Sequence, residues 1–181
     1  VEPNVELAET AGLICANGIA VDDAMKTSAD NILAIGDCVS FQHWMTGAKV
    51  RLESVQNATD QARLASRTIV GQPASYDAVP WFWSDIGDMK LQMVGLIGRQ
   101  DNQVVVGSPE ENRFSVYHFE GERLIAIESV NKPADHMLGR KMLAAGYSPA
   151  RSALAADPAG LKAAFADWQQ LQINSGAPDV P

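Results

Sequence analysis

The stretch Thr27–Cys38, TSADNILAIGDC, ends a short apolar run in a carboxylate, Asp37, directly after Gly36. Continuously apolar runs of this length read as parallel-sheet strands buried on both faces. A carboxylate just past the C-terminal end of such a strand stands where open α/β sheets bind their ligands. Ionised, it only accepts hydrogen bonds, which suits a ligand hydroxyl. The competing role is an ordinary turn or helix cap, and residue type alone favours it. A second constellation is VPWFWSD, with Trp81, Phe82 and Trp83 in a row. In an extended strand Trp81 and Trp83 share one face and Phe82 takes the other. Other chemistry is poorly served. Cys15 and Cys38 stand alone, so a dithiol centre or structural zinc site is not expected. His43, His118 and His136 lack metal-ligand spacing, and we read them as structural or surface residues.

The elements that must position these residues change character along the chain. Residues 5–13 form a short helical pattern closed by Gly12. GIAVDD, Gly18–Asp23, alternates like a strand, NILAIGD follows as a buried strand, and residues 41–50 read as a glycine-bearing loop. The longest helix is expected over 53–70, with Val55, Ala58, Ala62, Ala65 and Ile69 on the packed face. Gln56, Asp60, Arg63 and Arg67 fall on the other face, and Gly71 and Pro73 end the helix. Residues 72–78 are polar and turn-prone and mark a boundary. Beyond them KLQMVGLI, VVVG, FSVYHFE and RLIAIESVN read as strands, with a hairpin turn at Glu120–Glu122, which implies an antiparallel meander. A helix starts at Pro133 and closes at Gly146. A last one starts at Asp157-Pro158 and runs through Trp168, before a frayed tail.

The fold class is therefore α+β. A short βα remnant occupies residues 1–73, an antiparallel sheet with helices occupies 76–173, and residues 174–181 form the tail. The 181 residues, 46% hydrophobic, make a folded chain rather than a disordered one. The formal net charge of −8 disfavours a general nucleic-acid or acidic-membrane surface. No apolar run reaches the roughly 20 residues needed to span a bilayer, and the N-terminus is acidic where a signal peptide is basic. Two unpaired cysteines suit a reducing, cytoplasmic compartment. Val1 opens without methionine inside a loop-like stretch, and we expect a fragment of a longer chain.

Several quoted motifs carry a resemblance. Thr27-Ser28-x-x-x-Ile32-x-Ala34-x-Gly36-Asp37 resembles the second flavin-binding motif of two-dinucleotide-domain flavoprotein reductases. RLESVQNATDQA (51–62), YDAVPWFWSD (76–85), MKLQMVGL and VNKPADHMLGRK narrow it to the FAD-dependent ferredoxin and putidaredoxin reductases of bacterial oxygenase systems. The resemblance runs to about Trp168. It implies the last segment of an α/β FAD-binding domain followed by a C-terminal α+β domain that covers the flavin. No GxGxxG spacing occurs, so the phosphate cradles for the ADP half of FAD and for NAD(P)H are not among these residues. Where the family continues SDQYD, this chain has Ser84-Asp85-Ile86-Gly87-Asp88.

By that resemblance Asp37, beside Gly36, accepts a hydrogen bond from the ribityl chain of FAD. The helix starting near Glu53, with Ser54 and Val55 in its first turn, directs its N-terminus at the flavin pyrimidine edge, with the Val55 backbone nearest the ring. Trp83 is read as a lid on the flavin, whereas for Trp81 lid and core remain equal alternatives. No catalytic acid or base is expected. An acidic [2Fe–2S] ferredoxin partner would need a basic docking face, for which Arg63 and Arg67 are candidates. Arg140 and Lys141 are read as solvated charges. The parent activity implied is hydride transfer from NAD(P)H to FAD, then single-electron transfer to ferredoxin, with the fragment alone inactive. The alternatives are a non-catalytic docking or dimerisation module, with homodimerisation open, and a sibling flavoenzyme that reduces rubredoxin, nitrite reductase or a quinone.

Overall fold

The computed structural model describes residues 1–72, 74–98 and 102–175. It divides into two units, Val1–Ala78 and Val79–Pro181.

Unit one is built from short pieces. Helix α1 is Glu6–Thr10, closed by Gly12 in the left-handed region. Strand β1, Ile19–Ala20, runs parallel to β2, Val39–Gln42, and β2 pairs antiparallel with β3, Lys49–Val50. Two sequence expectations fail here. NILAIGD is not a strand: its one ladder contact is an isolated bridge between Lys26 and Leu33. Instead the Thr27 hydroxyl bonds the carbonyl of Ile32 at 3.0 Å, curling the segment on itself, and Ile32 and Ile35 stay partly exposed. Apolar content marked burial, but a strand also needs a neighbour at the right spacing. The parallel strand begins two residues after Asp37, at Val39, and runs into the stretch 41–50 expected to be loop.

Helix α2, Val55–Ile69, has Ser54 as N-cap, its Oγ accepting the Asn57 N–H at 3.1 Å. The packed face is not the expected one. Gln56, Asn57, Gln61, Leu64 and Ala65 are buried, while Val55 and Ile69 are 67% and 73% exposed and Ala62 is exposed. Asn57 explains the rotation. Its Nδ2 donates to the Leu52 carbonyl at 3.1 Å and its Oδ1 accepts from the Tyr76 hydroxyl at 3.0 Å. A buried amide with both ends bonded is tolerated, and it turns an otherwise polar stripe inward. The core behind it is Met25, Val39, Phe41, Leu64, Ala65 and Tyr76, with Phe41 and Tyr76 edge-on at 5.2 Å. Gly71 follows the helix; Pro73, expected to end it, lies outside the described residues.

Unit two is a five-stranded antiparallel sheet: β4 Trp81–Ile86, β5 Met89–Gly95, β6 Asn102–Ser108, β7 Arg113–Glu120 and β8 Arg123–Val130. Its order is β4-β5-β8-β7-β6, so the expected simple meander is interrupted where β8 inserts beside β5. Gly87-Asp88 and Gly121-Glu122 make two-residue hairpin loops, with both glycines at positive φ as such tight turns require. Helix α3, Pro133–Ala144, lies against β5 and β8. Gly139 makes that approach possible, because a Cβ there would stand 2.6 Å from Ile127 Cδ1 and 3.2 Å from Val94 Cγ1. Val94, Phe119, Ile127, Met142 and Leu154 are essentially sealed in its core, beside the buried polar residues Ser115, His118, Ser129 and His136.

Helix α4, Arg151–Ala156, was not anticipated. Asp157 caps a 3-10 turn at Pro158–Gly160 rather than the last helix directly, and α5 is Leu161–Ser175. α5 therefore runs two residues into the expected tail, whose residues 176–181 lie outside the described residues.

Candidate functional site

Asp37 sits in a turn just before β2, with Gly36 at φ +85°. Its side chain is exposed and has no hydrogen-bond partner among the described residues. The turn itself is clamped. Gly36 N–H donates to Gln61 Oε1 at 2.7 Å, from the second turn of α2. Arg51 Nη1 donates to the Asp37 carbonyl at 3.2 Å, while the same guanidinium pairs with Glu53 and reaches the Val1 carbonyl and Asn17 Oδ1. The backbone at residue 37 is thus held while its carboxylate stays open.

Beside this turn α2 begins. A Cβ on Gly36 would stand 3.9 Å from Ala58 Cβ, which places the Gly36–Asp37 turn against the first turns of the helix. The first amides of a helix have no intrahelical acceptor, and its N-terminus carries a partial positive charge. Ser54 takes the Asn57 amide, and the Val55 side chain is open to solvent. Gly36, Asp37, Ser54 and Val55 therefore share one locality: an acceptor and a positive helix end, both accessible.

In unit two, Trp81 and Trp83 lie on one face of β4 with ring centroids 5.4 Å apart. Trp81 is packed: His136 lies 5.7 Å from it, and the Arg140 guanidinium sits over its ring at 4.5 Å, a cation–π geometry. Trp83 is 42% exposed. Arg140, read from sequence as a solvated charge, is instead committed to the Trp81 ring. On α2, Arg63 and Arg67 are both exposed, and Arg63 Nη1 pairs with Asp60 Oδ1 at 2.9 Å. Burial lowers the pKa of His43 to about 4, and burial together with Arg140 does the same to His136. All three histidines are buried, none on the surface. Among the described residues no group of three His, Cys, Asp or Glu could hold a metal ion, and no helix is long and apolar enough to cross a membrane.

Comparison with known proteins decides the lineage. Residues 81–165 match the Reductase C-terminal family, and residues 1–62 match the pyridine nucleotide-disulphide oxidoreductase family. Rhodocoxin reductase of Rhodococcus erythropolis is 50% identical over 144 residues, 80% of this chain and 34% of that protein. Among solved structures, a ferredoxin reductase from Rhodopseudomonas palustris superposes with a TM-score of 0.82 at 49% identity, covering 85% of this chain and 38% of that one. A covalent putidaredoxin reductase–putidaredoxin complex gives 0.86 at 36%, covering 92% and 40%. The chain belongs to the FAD-dependent ferredoxin reductase family. It spans about a third of the length of the curated relatives it matches.

The family's cofactor sets a test for the residues present. FAD offers sugar-like ribityl hydroxyls and a pyrimidine edge that becomes negative on reduction. An unpartnered carboxylate and an accessible helix N-terminus, held side by side, match that pair of demands, and the residues fit. The sequence reading missed the residues that hold the turn. Arg51 opens the quoted RLES motif, and Gln61 lies seven residues beyond the Ser54 cap, on the face the helix buries. The polarity of the buried helix face disguised Gln61, and nothing local to Arg51 names its distant partners.

Proposed function

We propose that this chain is part of an NAD(P)H:ferredoxin oxidoreductase and holds the ribityl and pyrimidine end of its FAD. In this reading residues 1–73 close the FAD-binding domain and 76–173 form the flavin-covering domain. Bound FAD supplies the exchange between a two-electron hydride donor and a one-electron acceptor. Asp37 accepts a ribityl hydroxyl, with its backbone fixed by Arg51 and Gln61. Ser54 caps α2, and the Val55 amide with the helix dipole stabilises negative charge at the pyrimidine edge. Trp83, and with it Trp81, is assigned to the flavin by resemblance, and the exposed indole of Trp83 supports that choice. None of these roles moves a proton, so no residue here acts as general acid or base. Arg63 and Arg67 receive an acidic [2Fe–2S] ferredoxin of an oxygenase system. The two unpaired cysteines support a cytoplasmic location, and the 181-residue chain alone is expected to turn nothing over.

The observation that carries this reading is the open Asp37 carboxylate clamped beside the start of α2. Asp37→Ala in the full-length reductase removes a charged hydrogen bond worth about 1.5–3 kcal/mol, so FAD should dissociate about 10- to 100-fold more readily. Flavin retention by absorbance after dialysis measures it. Wild-type retention in the variant would overturn the assignment.

A further inference from the structure

We propose that unit two carries a second ligand site, for an apolar molecule with a carboxylate head, in a cleft beside α3. The cavity is about 640 Å³, in the range of small-molecule sites and walled by β6, β7, α3 and the start of α5. Its floor and sides are apolar, with Val106, Tyr117, Leu138 and Leu161 contributing.

Its charge is the unusual part. The chain has six lysines and a net charge of −8, yet Lys132, Lys141 and Lys162 all line this one cleft. The acid in its lining, Asp135, is already engaged: Oδ2 accepts from the Ser115 hydroxyl at 2.8 Å and pairs with Lys132 Nζ at 2.7 Å. Lys141 and Lys162 have no ion-pair partner among the described residues. Leu161, the first residue of α5, is in the wall, so the positive end of that helix adds to the field. Two unpaired ammonium groups at the mouth of an apolar hollow recognise an anion with an apolar body of about ten carbons. The concavity favours a small molecule over an acidic protein segment, which would need a broader face.

The cleft is separate from the tryptophan pair. α3 gives Met137, Leu138 and Lys141 to the cleft and His136 and Arg140 to Trp81, on neighbouring stripes of one helix.

Titration of the full chain with 2-naphthoate by isothermal calorimetry tests the site. Saturable one-to-one binding is expected, at least tenfold weaker for methyl 2-naphthoate and for the double variant K141E/K162E. Ala134→Trp, an exposed position on the cleft wall, should abolish binding with the circular dichroism spectrum unchanged. Absence of saturable heat would overturn the site, as would equal affinity for acid and ester. Undiminished binding by K141E/K162E or by Ala134→Trp would place the ligand elsewhere.

Discussion

Unit one and unit two solve the same problem with different material. Unit two closes a sheet of five strands, each six to eight residues long, and packs α3 against it through aliphatic side chains. Unit one has strands of two to four residues, so its loops must be satisfied by other means. Buried polar side chains do it: Asn57 and Gln61 are fully buried and bond loop backbone, and Arg51 ties four segments together. A backbone ladder satisfies many groups at once. Side-chain pins satisfy one or two each, but they can fix a turn in a chosen shape with its carboxylate outward. The second arrangement suits a ligand loop.

Substitutions can test that contrast. The largest effect is expected from Gly95→Val in unit two. Gly95 has φ +85°, and a Cβ there would fall 2.1 Å from the Ile125 carbonyl oxygen, which cannot yield without breaking the β5–β8 register. The loss should be about 3 kcal/mol or more, read from the urea midpoint by circular dichroism. A smaller loss would mean that the ladder is less rigid than its geometry implies.

Acid should then weaken both units. His43 in unit one and His136 in unit two have folded pKa values near 4, against 6.5 for the free side chain. A depressed histidine pKa gives stability that is complete above the unfolded value and is lost as pH falls through the folded one. Each should lose about 3 kcal/mol between pH 6.5 and 4. Urea midpoints at pH 7 and 4, compared with His43→Leu and His136→Leu, measure each share. Leucine variants with undiminished acid sensitivity would count against the assignment.

Asn57→Leu tests the polar pins. It strands the Leu52 carbonyl and the Tyr76 hydroxyl, and should cost about 2 kcal/mol despite adding an apolar side chain. A stabilised variant would show that unit one does not depend on buried polarity. The smallest effect concerns the docking face. Arg63→Glu in the full-length reductase should slow ferredoxin reduction by about threefold to tenfold and flatten its salt dependence, leaving NADH-to-dye reduction unchanged. Arg63 already shares Asp60, which tempers the change. Unaltered ferredoxin reduction would remove Arg63 from the docking face.

The two units also differed in how much could be read from residues alone. In unit two the apolar runs announced β5, β6, β7 and β8, and the Glu120–Glu122 turn announced the β7–β8 hairpin, because a hairpin partner is adjacent in sequence. The insertion of β8 beside β5 was not legible, since nothing local encodes which edge a returning strand takes. In unit one, ILAIG was apolar enough for a buried strand, yet only an isolated bridge at Leu33 pairs with it, and β2 formed two residues after Asp37. For α2, the length was legible from the repeat, while the Ser54 cap and the buried face were not. Periodicity counted Val55, Ala62 and Ile69 as inward, but hydrogen bonds with Leu52, Tyr76 and Gly36 draw Asn57 and Gln61 in instead.

Sequence by itself determined the residue types of the candidate site: a carboxylate after a glycine, a serine at the start of a long helix, and two indoles on alternating positions of a strand. It did so because helix and strand periods are local properties of the chain. Only the tertiary structure decided that Arg51 and Gln61 clamp the Asp37 turn, that Trp81 is held by His136 and Arg140 while Trp83 is open, and that three lysines face one apolar cleft. Those are meetings of residues far apart in sequence, and which distant polar group satisfies a given buried one is settled only when the chain packs.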